Sequence, residues 1–205
     1  MNNTLANGEI IYNSLTQRLS ETNKKELFYN FARNELLTFL GFGALIFILV
    51  LLEAIFRFST GVRTILFWTT ASTLFTTVIF FAVNYILKRT GIIRPFNPLT
   101  YSQKVGNKFS IIKDSLSNSM SLFKNNSSSV FSDELILANL EKVNERSDGI
   151  NFSSFIPFDK LKKLSVTLIV SFLLYTICFA VFPDTMFGSL KRLVNYQYNF
   201  IDGEY

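Results

Sequence analysis

Three long apolar runs divide the chain, and polar or amphipathic stretches separate them. Residues 36–56 (LLTFLGFGALIFILVLLEAIF) hold one charge, Glu53, in 21 positions. Residues 64–87 hold none in 24, and residues 164–182 hold none in 19 before Pro183. At about 1.5 Å per residue each run crosses a hydrocarbon core of about 30 Å. A helix buried in a soluble core would be expected to carry a polar, charged stripe, and these runs carry none. The pattern predicts an all-α membrane protein with three transmembrane helices.

The segments between the spans have helical periodicity of their own. Before the first span, Leu15, Leu19, Leu27, Phe28 and Phe31 recur near helical spacing, predicting one or two amphipathic helices over residues 1–35. In the connector 88–163, Pro95 and Pro98 break any continuation of span two. Tyr101, Val105, Phe109, Ile112, Leu116, Met120 and Phe123 then recur every three or four residues, predicting one amphipathic helix of about six turns. Residues 125–129 read as a loop. Ser132 reads as the N-cap of a second helix carrying Leu135, Ile136, Ala138, Leu140 and Val143 and closed by Ser147, Asp148 and Gly149. Residues 150–156 read as extended. In the tail 183–205, Asp184 reads as the cap of a short interfacial helix striped by Met186, Phe187, Leu190, Leu193 and Val194.

Charge orients this arrangement. The chain of 205 residues carries 20 Lys and Arg against 15 Asp and Glu, a surplus of +5, and the connector alone holds 12 basic against 7 acidic residues. Arg18, Lys24, Lys25 and Arg33 precede span one, Lys88, Arg89 and Arg94 follow span two, and Lys160, Lys162 and Lys163 precede span three. The positive-inside rule places the N-terminus and connector in the cytoplasm. The turn 57–63 and the tail 183–205 fall on the other side. Some 35 mostly polar residues precede span one, which therefore reads as an uncleaved anchor. The implied location is a membrane crossed three times, with the N-terminus cytoplasmic and the C-terminus extracytoplasmic. The implied partners are the lipid bilayer and other membrane-protein subunits or further copies of the chain. Basic and aromatic residues are not interleaved on one face, so the charge reads as headgroup attraction rather than nucleic-acid binding.

Residue inventory narrows the chemistry. With no His and one Cys, ordinary zinc sites, haem ligation and Ser-His-Asp or Cys-His catalysis lack their residues. No phosphate-binding or nucleophile motif stands in the chain. The reading is a non-enzymatic chain with no catalytic, cofactor-binding or metal residues and no cofactor. Glu53 is the one ionisable residue well inside a span, a functional candidate by position. Arg57 follows at i+4, so an interfacial ion pair is the first reading and an ion pathway the alternative. In span two, Thr69, Thr73, Thr76 and Thr77 share a face suited to helix packing, although such hydroxyls equally bond back to their own helix. Cys178 reads as a small apolar filler.

Several short stretches carry a family resemblance. Ser59-Thr60-Gly61-Val62-Arg63-Thr64-Ile65-Leu66-Phe67-Trp68, Val105-Gly106-Asn107-Lys108-Phe109 and Ile112-Lys113-Asp114-Ser115-Leu116-Ser117-Asn118 are three of them. Ser132-Asp133-Glu134-Leu135-Ile136 and Leu190-Lys191-Arg192-Leu193-Val194-Asn195-Tyr196 follow in order. Together they resemble the N-terminal membrane region of the bacterial domain-of-unknown-function family 4175. The resemblance implies a three-span anchor that precedes a long extracytoplasmic part. It implies no biochemical activity. The expected role is a membrane anchor or scaffold subunit of a multi-protein assembly, by itself or as the N-terminal part of a longer envelope protein. The alternative is an accessory component of a transport or energy-coupling complex.

Overall fold

A computed structural model describes residues 2–125 and 132–198, with side chains from residue 6 onward. The described chain is all-helical: α1 (Asn2–Phe56), α2 (Thr60–Arg89), α3 (Pro98–Gly106), α4 (Lys113–Lys124), α5 (Asp133–Asp148), α6 (Phe158–Val181) and α7 (Pro183–Val194). Three helices, α1, α2 and α6, are long and apolar enough to cross a membrane. The chain divides into two compact units, residues 1–29 with 87–157, and residues 30–86 with 158–205.

The first unit has a conventional apolar core. Leu15 and Leu19 of α1 meet Tyr101 and Val105 of α3, Ile112, Leu116 and Met120 beside and along α4, Leu140 and Val143 of α5, and Phe152. Two polar anchors of α1 flank that core. The Arg18 guanidinium donates to the Ser147 carbonyl at 2.6 Å and the Ile150 carbonyl at 3.2 Å, and lies 4.6 Å over the Phe152 ring. It thereby ties α1 to the backbone at and just beyond the end of α5. The Glu26 carboxylate accepts from the Tyr101 hydroxyl at 2.9 Å and from Lys104 Nζ. Burial pushes the Tyr101 phenol well above its ordinary range, and the neighbouring Glu26 charge pushes it the same way.

The six-turn helix expected over 101–123 is instead a hairpin of α3 and α4. The physical cause is Gly106. A Cβ at that position would overlap the Lys113 carbonyl oxygen, so only glycine permits this approach. The chain reverses through short turns, with Lys108 N donating to Val105 O at 2.9 Å and Phe109 N to Gly106 O at 3.0 Å. Asn97 caps α3 by accepting from Leu99 N and Thr100 N, and Pro98 occupies the first helical position. Ser132 caps α5 as the sequence suggests, accepting from Leu135 N. Within α5, however, Leu137 is buried and Leu135 is exposed. The supposed extended stretch 150–156 contains a 3-10 turn, Phe152–Phe155, started by Asn151 accepting from Ser153 N at 3.0 Å. Most of the loop expected at 125–129 lies outside the described residues.

The second unit is built differently. Over their most apolar stretches α2 and α6 have no residue buried by the rest of the chain. Large side chains such as Trp68, Phe75 and Phe80 of α2, and Phe172 and Ile177 of α6, stand exposed. Contacts are sparse and aromatic: Phe47 stacks on Tyr175 at 4.5 Å, Phe31 on Tyr85 at 4.8 Å and Phe67 on Tyr196 at 4.6 Å. One small core holds α7, where Val50 meets Met186 and Leu193. Phe187 and Val194, expected on the same stripe, are exposed. Helix α7 begins at Pro183 with Phe182 in the capping position, so Asp184 sits inside the first turn rather than capping it. Proline at the first helical position needs no N–H there, and the helix starts two residues earlier than a cap at Asp184 would place it.

Two glycine substitutions separate steric need from mere tolerance. Gly106→Ala should destabilise the first unit by about 1–3 kcal/mol through overpacking against backbone. Gly149→Ala, where nothing lies within 4 Å of an added Cβ, should change stability by less than about 0.5 kcal/mol. Thermal unfolding of both variants in detergent micelles checks the contrast.

Candidate functional site

The end of α1 assembles the most buried charge cluster described. Helix α1 stops at Phe56, and Arg57 turns the chain with a left-handed backbone (φ 46°), its N–H donating to the Glu53 carbonyl at 3.0 Å. The backbone i, i+4 bond thus reaches Arg57, but its left-handed backbone leaves the helical course on which a side-chain pair with Glu53 was expected, and the Arg57 side chain is exposed. Glu53 itself is fully buried. Its Oε2 accepts from the Phe58 backbone N–H at 3.1 Å, and its Oε1 accepts from Arg192 Nε at 3.0 Å. Arg63 Nε stands 3.9 Å from the same Oε1.

Each arginine is tied down by further contacts. Arg63 donates to the Phe58 carbonyl at 2.8 Å and, through Nη1, to the Tyr198 carbonyl at 3.4 Å. Arg192 Nη2 donates to Ser189 Oγ at 3.1 Å, and that buried hydroxyl donates to Thr185 O at 2.7 Å. Glu53 and Arg63 thus hold the two faces of one peptide residue, Phe58, between α1 and α2. Arg192 brings α7 to the same carboxylate.

Helix dipoles explain why the cluster needs all three charges. Glu53 lies in the last turn of α1, where partial negative charge gathers, and Arg63 lies in the first turn of α2, where partial positive charge gathers. Each is disfavoured by its own helix and stabilised by the other. Arg192, in the last turn of α7, is favoured by its helix as well as by Glu53. A buried carboxylate without such partners would lose far more in desolvation than it gains in packing. The arrangement neutralises and holds charge. Nothing in it lines up a nucleophile with a base.

The hydroxyl face of α2 is differently placed. Thr69, Thr73 and Thr76 are exposed and Thr77 half-buried. Thr69 donates to Ile65 O at 2.7 Å and Thr77 to Thr73 O at 2.8 Å, so these two hydroxyls bond back along their own helix. Among the described residues nothing buries Thr69, Thr73 or Thr76. Among the described residues no group of three or more His, Cys, Asp or Glu side chains comes together.

Removing a partner from the cluster should be costly. Arg192→Ala should destabilise the second unit by about 3–5 kcal/mol, because it strips the closest cation from a buried carboxylate. Arg57→Ala should cost less than about 1 kcal/mol, as exposed ion pairs do. Thermal unfolding in micelles, with limited proteolysis of α7 as a local readout, separates them. Equal losses would contradict the assignment of partners.

Comparison of the chain with protein-family models, with curated proteins and with solved structures finds no match.

Proposed function

We propose that the chain is a non-enzymatic integral membrane anchor or scaffold subunit in a multi-protein assembly of a bacterial inner membrane. One observation carries the reading: three helices are apolar enough to span, two of them have their most apolar stretches uncovered by their own chain, and a separate unit folds around its own core. Lipid or a neighbouring subunit covers the outward faces of α2 and α6. The unit of residues 1–29 and 87–157 supplies a cytoplasmic docking body of amphipathic helices. Positive charge at the starts and ends of the spans supports an N-terminus inside and a tail outside. The resemblance to family 4175 supports the same three-span anchor, with the chain serving alone or as the N-terminal part of a longer envelope protein.

Glu53 supports this reading over transport. A carboxylate serving an ion path exchanges its partners, whereas Glu53 is held by two arginines and a backbone N–H. The exposed face of Thr69, Thr73 and Thr76 is the packing surface offered to another subunit or a second copy.

Two single-cysteine variants in a Cys178→Ala background test the topology. A membrane-impermeant maleimide added to cells with a permeabilised outer barrier should label Gln197→Cys directly, and Lys142→Cys only after the inner membrane is opened. The reverse pattern would overturn the orientation. Co-purification in mild detergent should recover a defined set of membrane subunits in fixed ratio. A monodisperse, partner-free monomer would contradict the scaffold role.

A further inference from the structure

A groove of about 510 Å³ lies between α1 and α6 in the second unit. Phe39, Leu40 and Gly43 form one wall, and Leu168, Phe172 and Tyr175 form the other. The two helices run in the same direction here, since Phe39 and Gly43 line the groove with Leu168 and Tyr175, Phe47 stacks on Tyr175, and Phe179 packs on the core around Val50 farther along. Gly43 keeps the wall low: a Cβ there would touch only Tyr175, at 3.8 Å.

Depth and charge together select an occupant. Leu168 and Tyr175 lie five and twelve residues beyond Lys163, or about 8 and 18 Å along the helix. Half of a hydrocarbon core of about 30 Å is about 15 Å, so the groove begins within the leaflet next to Lys163 and ends near the bilayer midplane. On that side the residues flanking both spans are mainly basic. Lys160, Lys162 and Lys163 are exposed there, with Arg33 on α1, and the acids of that level are Glu35 and Asp159, the latter 3.8 Å from Lys162. Cations exceed acids, which suits a phosphate headgroup above an apolar slot.

We propose that this groove binds one acyl chain of an anionic phospholipid whose phosphate rests against Lys160, Lys162 and Lys163. The assignment rests on the reading that α1 and α6 cross the membrane. It adds a defined lipid site to what would otherwise be general solvation by the bilayer.

Native mass spectrometry of the full chain, with dioleoyl phosphatidylglycerol and dioleoyl phosphatidylcholine supplied in turn, reads the site. The chain should retain one phosphatidylglycerol with about tenfold preference over phosphatidylcholine, in line with several lysines near a charged headgroup. Gly43→Leu fills the slot and should abolish retention of either lipid. The triple variant Lys160→Gln, Lys162→Gln, Lys163→Gln should still retain lipid but lose the preference. A photoreactive residue in place of Leu40 gives a readout independent of Gly43. An adduct of one chain with one phospholipid supports the site. A covalent dimer, a chain-to-protein adduct, or no adduct overturns it, as does undiminished retention by Gly43→Leu. Release of the unmodified chain from membranes by alkaline carbonate would instead overturn the membrane reading itself. Firm membrane retention without lipid selectivity removes the groove proposal alone.

Discussion

A backbone that crosses hydrocarbon finds no water for its N–H and C=O groups, so every polar group there must be satisfied within the protein. That constraint organises the second unit. It accounts for unbroken helices through the apolar runs and for threonine hydroxyls that donate to their own carbonyls at Ile65 and Thr73. It also accounts for Glu53. A carboxylate at the end of a span is tolerable only when charge partners arrive, and the cluster recruits them from α2 and α7. The small apolar core of Val50, Met186 and Leu193 forms around the docked α7.

The first unit obeys a different rule. Its helices bury one face each, and its stability comes from packing around Leu15, Leu19, Leu116, Met120 and Leu140. Its polar contacts, Arg18 on the end of α5 and Glu26 on Tyr101, tie α1 to α5 and α3 beside the core. The same helix α1 serves both regimes, with its charged half in the first unit and its apolar half in the second. The proposed anchor role would use this division, with one part suited to lipid and another presenting a folded surface.

How much of this was legible beforehand depends on the range of each interaction. The three apolar runs were plain, because a span needs only local composition and length. Ser132 as a cap was plain for the same reason. The α3–α4 hairpin was hidden: Tyr101, Val105, Phe109, Ile112, Leu116 and Met120 keep helical spacing straight through the reversal, so periodicity does not register it. Gly106 was the available clue. The partners of Glu53 were hidden by distance. Arg192 lies 139 residues away, and a local i+4 rule pointed to Arg57 instead. Arg63, standing immediately before an uncharged span, was the better signal, since a charge at the membrane edge with an acid across the turn invites pairing.

Hydrogen–deuterium exchange of the full chain in lipid nanodiscs tests the central claim most directly. The account predicts that amides of residues 36–56, 64–87 and 164–182 stay protected for hours, while α3, α4 and α5 exchange through an ordinary cooperative opening that denaturant accelerates. Rapid exchange across any one of those three stretches, at the rate seen in α3 to α5, would contradict three membrane-crossing helices.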